Sequence, residues 1–133
     1  MIRTNFYNIT AHDNLIIVES FGTWDKTVAK GCLDNILKIV SQNFIDKSYA
    51  ILEDTRKWEL NTPDAMIFWK ETFAKKCPHF PSHVVYVTDG SELKYWAIER
   101  MITDSMPFKA HIINGIHGGL ALLESYGYNP PDL

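Results

Sequence analysis

Apolar positions along the chain follow two rhythms that take turns. One is helical. Ala29, Cys32, Leu33, Ile36, Leu37 and Val40 recur at spacings of three and four, the stripe of an amphipathic helix, and carry it to about Asn43. The other is continuous. Leu15-Ile16-Ile17-Val18, Tyr49-Ala50-Ile51-Leu52 and Val84-Val85-Tyr86-Val87 are short apolar runs rich in β-branched residues, as buried strands require. A first strand over 6–11 joins Leu15–Val18 through the turn His12-Asp13-Asn14, which reads as a hairpin. Ala110-His111-Ile112-Ile113 forms a last short strand.

Between the strands, helix signals recur. Phe21-Gly22-Thr23-Trp24-Asp25 reads as a loop that ends in helix-starting residues. Thr55 to Asn61 reads as a polar loop holding Trp58. In Thr62-Pro63-Asp64, Thr62 can cap, proline suits the first helical position and Asp64 complements the helix dipole. That helix buries Ala65, Phe68, Trp69 and Phe73 on one face and stops before Pro78. Ser91 opens another, with Leu93, Trp96, Ala97, Arg100 and Met101 on one side. Asn114-Gly115 leads into a final helix, capped by Asn114, with Ile116, Leu120 and Leu123 facing in.

The order is β-β-α-β-α-β-α-β-α. Such alternation predicts an α/β fold: a mostly parallel five-stranded sheet, one antiparallel edge strand, and helices packed on it. The 133 residues fit one domain, 1–133, with a core large enough to need no disulfide or metal.

Composition narrows the function classes. A net charge of -3, with the basic pairs Arg56-Lys57 and Lys75-Lys76 set among acids, lacks the concentrated basic face that nucleic acid demands. No apolar run approaches a membrane span, and the N-terminus lacks a signal-peptide core. Two cysteines, Cys32 and Cys77, do not make a disulfide framework, so a reducing cytoplasm is the expected setting.

Several residue groups invite chemistry. Cys77, His79 and His83 have a zinc-like spacing, but two prolines constrain the segment and no fourth ligand is near. His117-Gly118-Gly119 has the form of an oxyanion loop, yet no Gly-x-Ser-x-Gly elbow supplies a nucleophile. There the small residues read as a close helix contact. Asp54, Arg56 and Glu59 lie in the loop at the C-terminal end of a parallel strand, the edge where open α/β sheets bind ligands, though an acid and a base this close read first as a surface pair. Four Trp, seven Phe and six Tyr are a heavy aromatic load. Met66-Ile67-Phe68-Trp69 is apolar at four successive helical positions, more than one buried face can hide. Met66 and Ile67 are therefore expected at a subunit contact or on an apolar cavity, which Trp58, Trp69 and Trp96 could line.

The element order and two local stretches resemble the STAS family of anti-sigma-factor antagonists. Leu15 to Asp25 is similar to the second STAS strand followed by Gly-x-Trp-Asp before the first helix. Tyr49 to Arg56 is similar to the STAS strand that ends in Asp. Within that family the chain looks most like the uncharacterised STAS-like branch, which is also likened to CRAL-TRIO lipid-binding domains. Phosphorylated antagonists carry an Asp-Ser-Ser-Gly-type motif where this chain has Leu60-Asn61-Thr62-Pro63-Asp64, so only Thr62 stands in for the phosphorylated serine. The resemblance implies a non-enzymatic regulatory domain that binds protein and forms a homodimer. The alternative is a small apolar-ligand or lipid binder with a cleft between helices and sheet. No nucleophile–base set or metal cluster points to an enzyme, and no cofactor is called for. The candidate interaction or ligand residues are Asp54, Arg56, Trp58, Thr62, Met66, Ile67, Trp69 and Trp96.

Overall fold

The structure is a computed structural model that describes residues 1–77, 79–102 and 106–133, apart from the Ala74 side chain. Among the described residues six strands lie in sequence order across one sheet: β1 (Ile2–Arg3), β2 (Tyr7–His12), β3 (Leu15–Trp24), β4 (Ala50–Asn61), β5 (His83–Thr88) and β6 (Lys109–Asn114). β1 to β3 are antiparallel neighbours, and β3 to β6 pair in parallel. The sheet is thus mixed, with three parallel and two antiparallel pairings, where a mostly parallel five-stranded one is expected from sequence. The extra strand is a two-residue edge, Ile2 on Ile9 and Arg3 on Asn8, too short to show a period.

Helices α1 (Lys26–Asn43), α2 (Pro63–Lys76) and α3 (Glu92–Met101) cover one face, and α4 (Ile116–Ser125) covers the other. Strand alternation divides the core between them. Ile51, Val84 and Tyr86 face the three-helix side, while Ala50, Leu52, Val85 and Val87 face α4. The α4 side depends on glycine. A Cβ at Gly119 would sit 2.5 Å from Val87 Cγ2, and one at Gly118 2.9 Å from Ile113 Cγ2. The His117-Gly118-Gly119 stretch is therefore a close helix–sheet contact, as its small residues suggest.

Two expected loops are strand. β3 runs on through Phe21 to Trp24, and β4 through Thr55 to Asn61, paired as Phe21 with Lys57, Gly22 with Trp58 and Trp24 with Asn61. The polar run from Arg56 to Asn61 hides this, because cross-strand hydrogen bonding to β3 supplies what side-chain hydrophobicity does not. From Glu19 to Phe21 β3 advances two residues while β4 advances three, from Asp54 to Lys57. From Gly22 to Trp24 the same happens against Trp58 to Asn61. β4 thus carries two bulges, each adding a residue and shifting which side chains share a face.

Helix starts also differ from expectation at two points. Thr62 occupies the N-cap position of α2, but its hydroxyl donates to the Asp64 carboxylate and caps no backbone N–H. Asn114 is the last residue of β6, and Gly115, at φ +89°, is the N-cap of α4. The working side-chain caps are Asp25, which accepts from Val28 N at 2.9 Å, and Ser91, which accepts from Lys94 N at 3.2 Å. On α3 the buried residues are Ala97 and Ile98, and Leu93 and Trp96 face water, so the inward stripe sits further round the helix than its spacing suggests.

Candidate functional site

Between the sheet and the three-helix layer lies a cavity of about 60 Å³. Its floor comes from β4 and β5: Ile51, Glu53, Thr55, Trp58 and Asn61, with Val84 and Tyr86. Ser20 and Trp24 of β3 and Ile36 of α1 wall one side. Trp69 and Phe73 of α2, Met101 of α3, and Met106 and Phe108 complete it. Strict alternation would put Trp58, five residues from Glu53, on the opposite face. The first bulge of β4 returns it to the cavity, and the second does the same for Asn61.

Most polar atoms of the wall are tied into the protein. Trp24 Nε1 donates to the carbonyls of Phe6 and Phe21, at 3.1 and 3.2 Å. Trp58 Nε1 donates to Asn61 Oδ1 at 3.2 Å, and Asn61 Nδ2 donates to Met101 Sδ at 3.3 Å. Thr55 Oγ1 donates to the Val87 carbonyl at 2.7 Å. Glu53 is different. Desolvation alone moves its carboxyl, up from 4.5 to about 7, and neither a hydrogen bond nor a cation among the described residues offsets it. Tyr86, its register partner on β5, is raised by its own burial and then by the nearby Glu53. A desolvated acid facing a hollow lined by aromatic rings is the arrangement expected of a ligand site, since a buried charge is costly unless something pairs with it.

The sequence-derived candidates divide around this cavity. Trp58 and Trp69 line it. Trp96 does not: it is 49% exposed, with the Arg100 guanidinium 4.4 Å from its ring centroid. Met66 and Ile67 are absent from the wall, and Ile67 is 56% exposed. Asp54 lies on the other face of β4 and takes the Arg56 guanidinium in a bidentate pair, Nε to Oδ1 at 2.9 Å and Nη2 to Oδ2 at 2.8 Å. Thr62 is at the exposed start of α2. The zinc-like trio is dispersed: Cys77 Sγ donates to the His79 carbonyl, His79 Nε2 bonds the Lys47 carbonyl, and His83 stacks on Tyr126 with centroids 4.0 Å apart. Among the described residues no three His, Cys, Asp or Glu side chains gather as a metal site would need.

Glu53 and Tyr86 are the residues that sequence reasoning missed. Their signal was present. Ile51 and Glu53 share a strand face, so an inward Ile51 carries an acid inward with it.

No protein-family model and no curated protein matches this chain. Solved structures do. An uncharacterised DUF3478-family protein with a SpoIIAA-like fold from Shewanella loihica PV-4 superposes with a TM-score of 0.59 at 13% identity, covering 92% of this chain and 99% of that one. The anti-sigma factor antagonist SpoIIAA in its unphosphorylated form gives 0.56 at 9% identity, with 92% and 99% covered. An anti-sigma factor antagonist from Mycobacterium paratuberculosis gives 0.57 at 15% identity, with 89% and 92% covered. The chain therefore has the SpoIIAA-like, or STAS, fold. Among the described residues no helix is long and apolar enough to cross a membrane.

Proposed function

We propose that this chain is a non-enzymatic STAS-like module that binds a small, largely apolar ligand in the cavity between its sheet and three helices. One observation carries the reading: Glu53 stands desolvated and without a described partner in a hollow walled by Trp24, Trp58, Trp69 and Phe73. A fold gains nothing by keeping a lone acid there, and a ligand that meets it recovers the desolvation cost. The two free cysteines fit a reducing compartment. The test is a small-molecule screen read by tryptophan fluorescence and native mass spectrometry. Binders should lose their effect in the cavity-filling variant Ser20→Leu and keep it in Trp96→Ala, whose ring is outside the cavity. If no compound is retained or shifts the wild-type signal, the reading fails.

A second reading has its own support. α3 presents Leu93, Tyr95 and Trp96 to solvent at 58, 48 and 49% exposure, and α2 adds Ile67. Large apolar side chains at such density mark protein contacts, and the anti-sigma factor antagonists of this fold are named for acting on other proteins. On this reading the module is regulatory and self-associates or meets a protein partner through α2 and α3. Sedimentation equilibrium tests self-association: Ile67→Glu and Trp96→Glu should weaken it, and a wild-type chain that stays monomeric at high micromolar concentration removes that part of the reading.

A further inference from the structure

The cavity lining restricts what its occupant can be, an argument that rests on the ligand-binding reading above. We infer that the cavity takes a small organic cation, a methylated ammonium group held among Trp24, Trp58, Trp69 and Phe73 and paired with the Glu53 carboxylate.

Three observations on the lining lead there. Charge comes first: no lysine or arginine is among the described lining residues, so a carboxylate or phosphate ligand would meet an acid and no counter-charge there. Aromatic content comes second. Six of the fifteen described lining side chains are aromatic, namely Trp24, Trp58, Trp69, Phe73, Tyr86 and Phe108, and π-faces attract a weakly hydrated cation most strongly where water is excluded. Trp69 lies within 6.4 Å, centroid to centroid, of both Trp24 and Phe73, so these rings form one continuous wall. Size comes third. About 60 Å³ holds on the order of four to six water-sized atoms, the bulk of one methylated ammonium head.

The groups facing Glu53 leave a cation as the missing partner. β5 offers the Tyr86 hydroxyl and α1 the Cys32 thiol, both of them neutral at pH 7 because burial raises each. α2 offers Trp69 and Phe73, α3 Met101, and β3 Ser20 and Trp24. None brings positive charge. A neutral ligand with a hydrogen-bond acceptor would need Glu53 protonated, and a cation needs it ionised, so the two classes respond to pH with opposite sign.

Calorimetric titration with tetramethylammonium and with tert-butyl alcohol decides between them. Both probes have five heavy atoms and similar shape, and only one is charged. Wild-type protein should bind tetramethylammonium at least about tenfold more tightly at pH 8. Its affinity should rise about tenfold per pH unit toward pH 7 and level off above. Glu53→Gln should lose the preference while Trp96→Ala keeps it. If Glu53→Gln does not fold, the wild-type pH profile still decides. Equal binding of the two probes, or tighter binding at pH 6 than at pH 8, overturns the cation inference and leaves the ligand-binding reading standing. Binding of neither probe overturns this inference, while a hit from the broader screen would still uphold the cavity as a site.

Discussion

Glu53 and Trp58 face the same cavity from one strand although they are five positions apart, because β4 gains a residue against β3 between Asp54 and Lys57. That bulge brings an acid and an indole together where simple alternation would hold them on opposite sides of the sheet.

The desolvated acid makes stability depend on pH. Glu53 titrates near 4.5 when unfolded and at about 7 when folded, so its contribution is fully present below pH 4.5 and is lost as pH rises through 7. Two and a half pH units correspond to about 3 kcal/mol. Glu53→Gln should therefore be more stable than wild type at pH 8 by up to that amount, with the gap closing near pH 4.5. His83 and His111, whose burial lowers them, act in the opposite direction and cancel in this difference. Urea melts of both proteins from pH 4.5 to 8 measure the gap, and a constant difference would show that Glu53 is solvated in the fold.

Two tryptophans should respond differently to truncation. Trp69 packs against Trp24, Phe68 and Phe73, so Trp69→Ala should cost about 2–4 kcal/mol. Trp96 touches Arg100 in the open, so Trp96→Ala should cost under about 1 kcal/mol. Denaturant melts that rank them the other way would contradict the described packing.

Caps give a similar contrast. Asp25→Ala and Ser91→Ala should each cost about 1 kcal/mol, because each removes an acceptor from a backbone N–H. Thr62→Ala should cost less than about 0.5 kcal/mol, since the Thr62 hydroxyl bonds Asp64 and leaves the α2 backbone uncapped by its side chain. Thermal melts of the three variants decide the order.

The α4 contact is tight enough to punish one carbon. Gly119→Ala would gain about 1 kcal/mol of helix propensity, yet its Cβ would overlap Val87 Cγ2, and overpacking costs about 1–3 kcal/mol. A net loss in Tm is expected. Pairing it with Val87→Ala should restore much of that loss, and failure of the double variant to recover would place the clash elsewhere.

Local residue pattern carries the alternating α/β order, the amphipathic α1, the buried cores of β3, β4 and β5, and the close glycine contact of α4. These follow from local periodicity and from residue size, which act within a few positions along the chain. The sequence also held the aromatic residues that make a cavity plausible, with Trp58 and Trp69 among them. Long-range pairing and packing set the rest. The ends of β3 and β4 are strands because each hydrogen-bonds the other, a contact between residues more than thirty positions apart that polar side chains do not announce. That Trp58 faces the hollow depended on a bulge created by that pairing. Asp54, prominent in sequence beside Arg56, turned out to bond Arg56 on the far face, while its neighbour Glu53 was carried inward by a single step of strand alternation. Glu53 acquires its unusual acidity only there, because a carboxyl's pKa is set by the solvent and charges around it, and strands and helices from across the chain supply those surroundings.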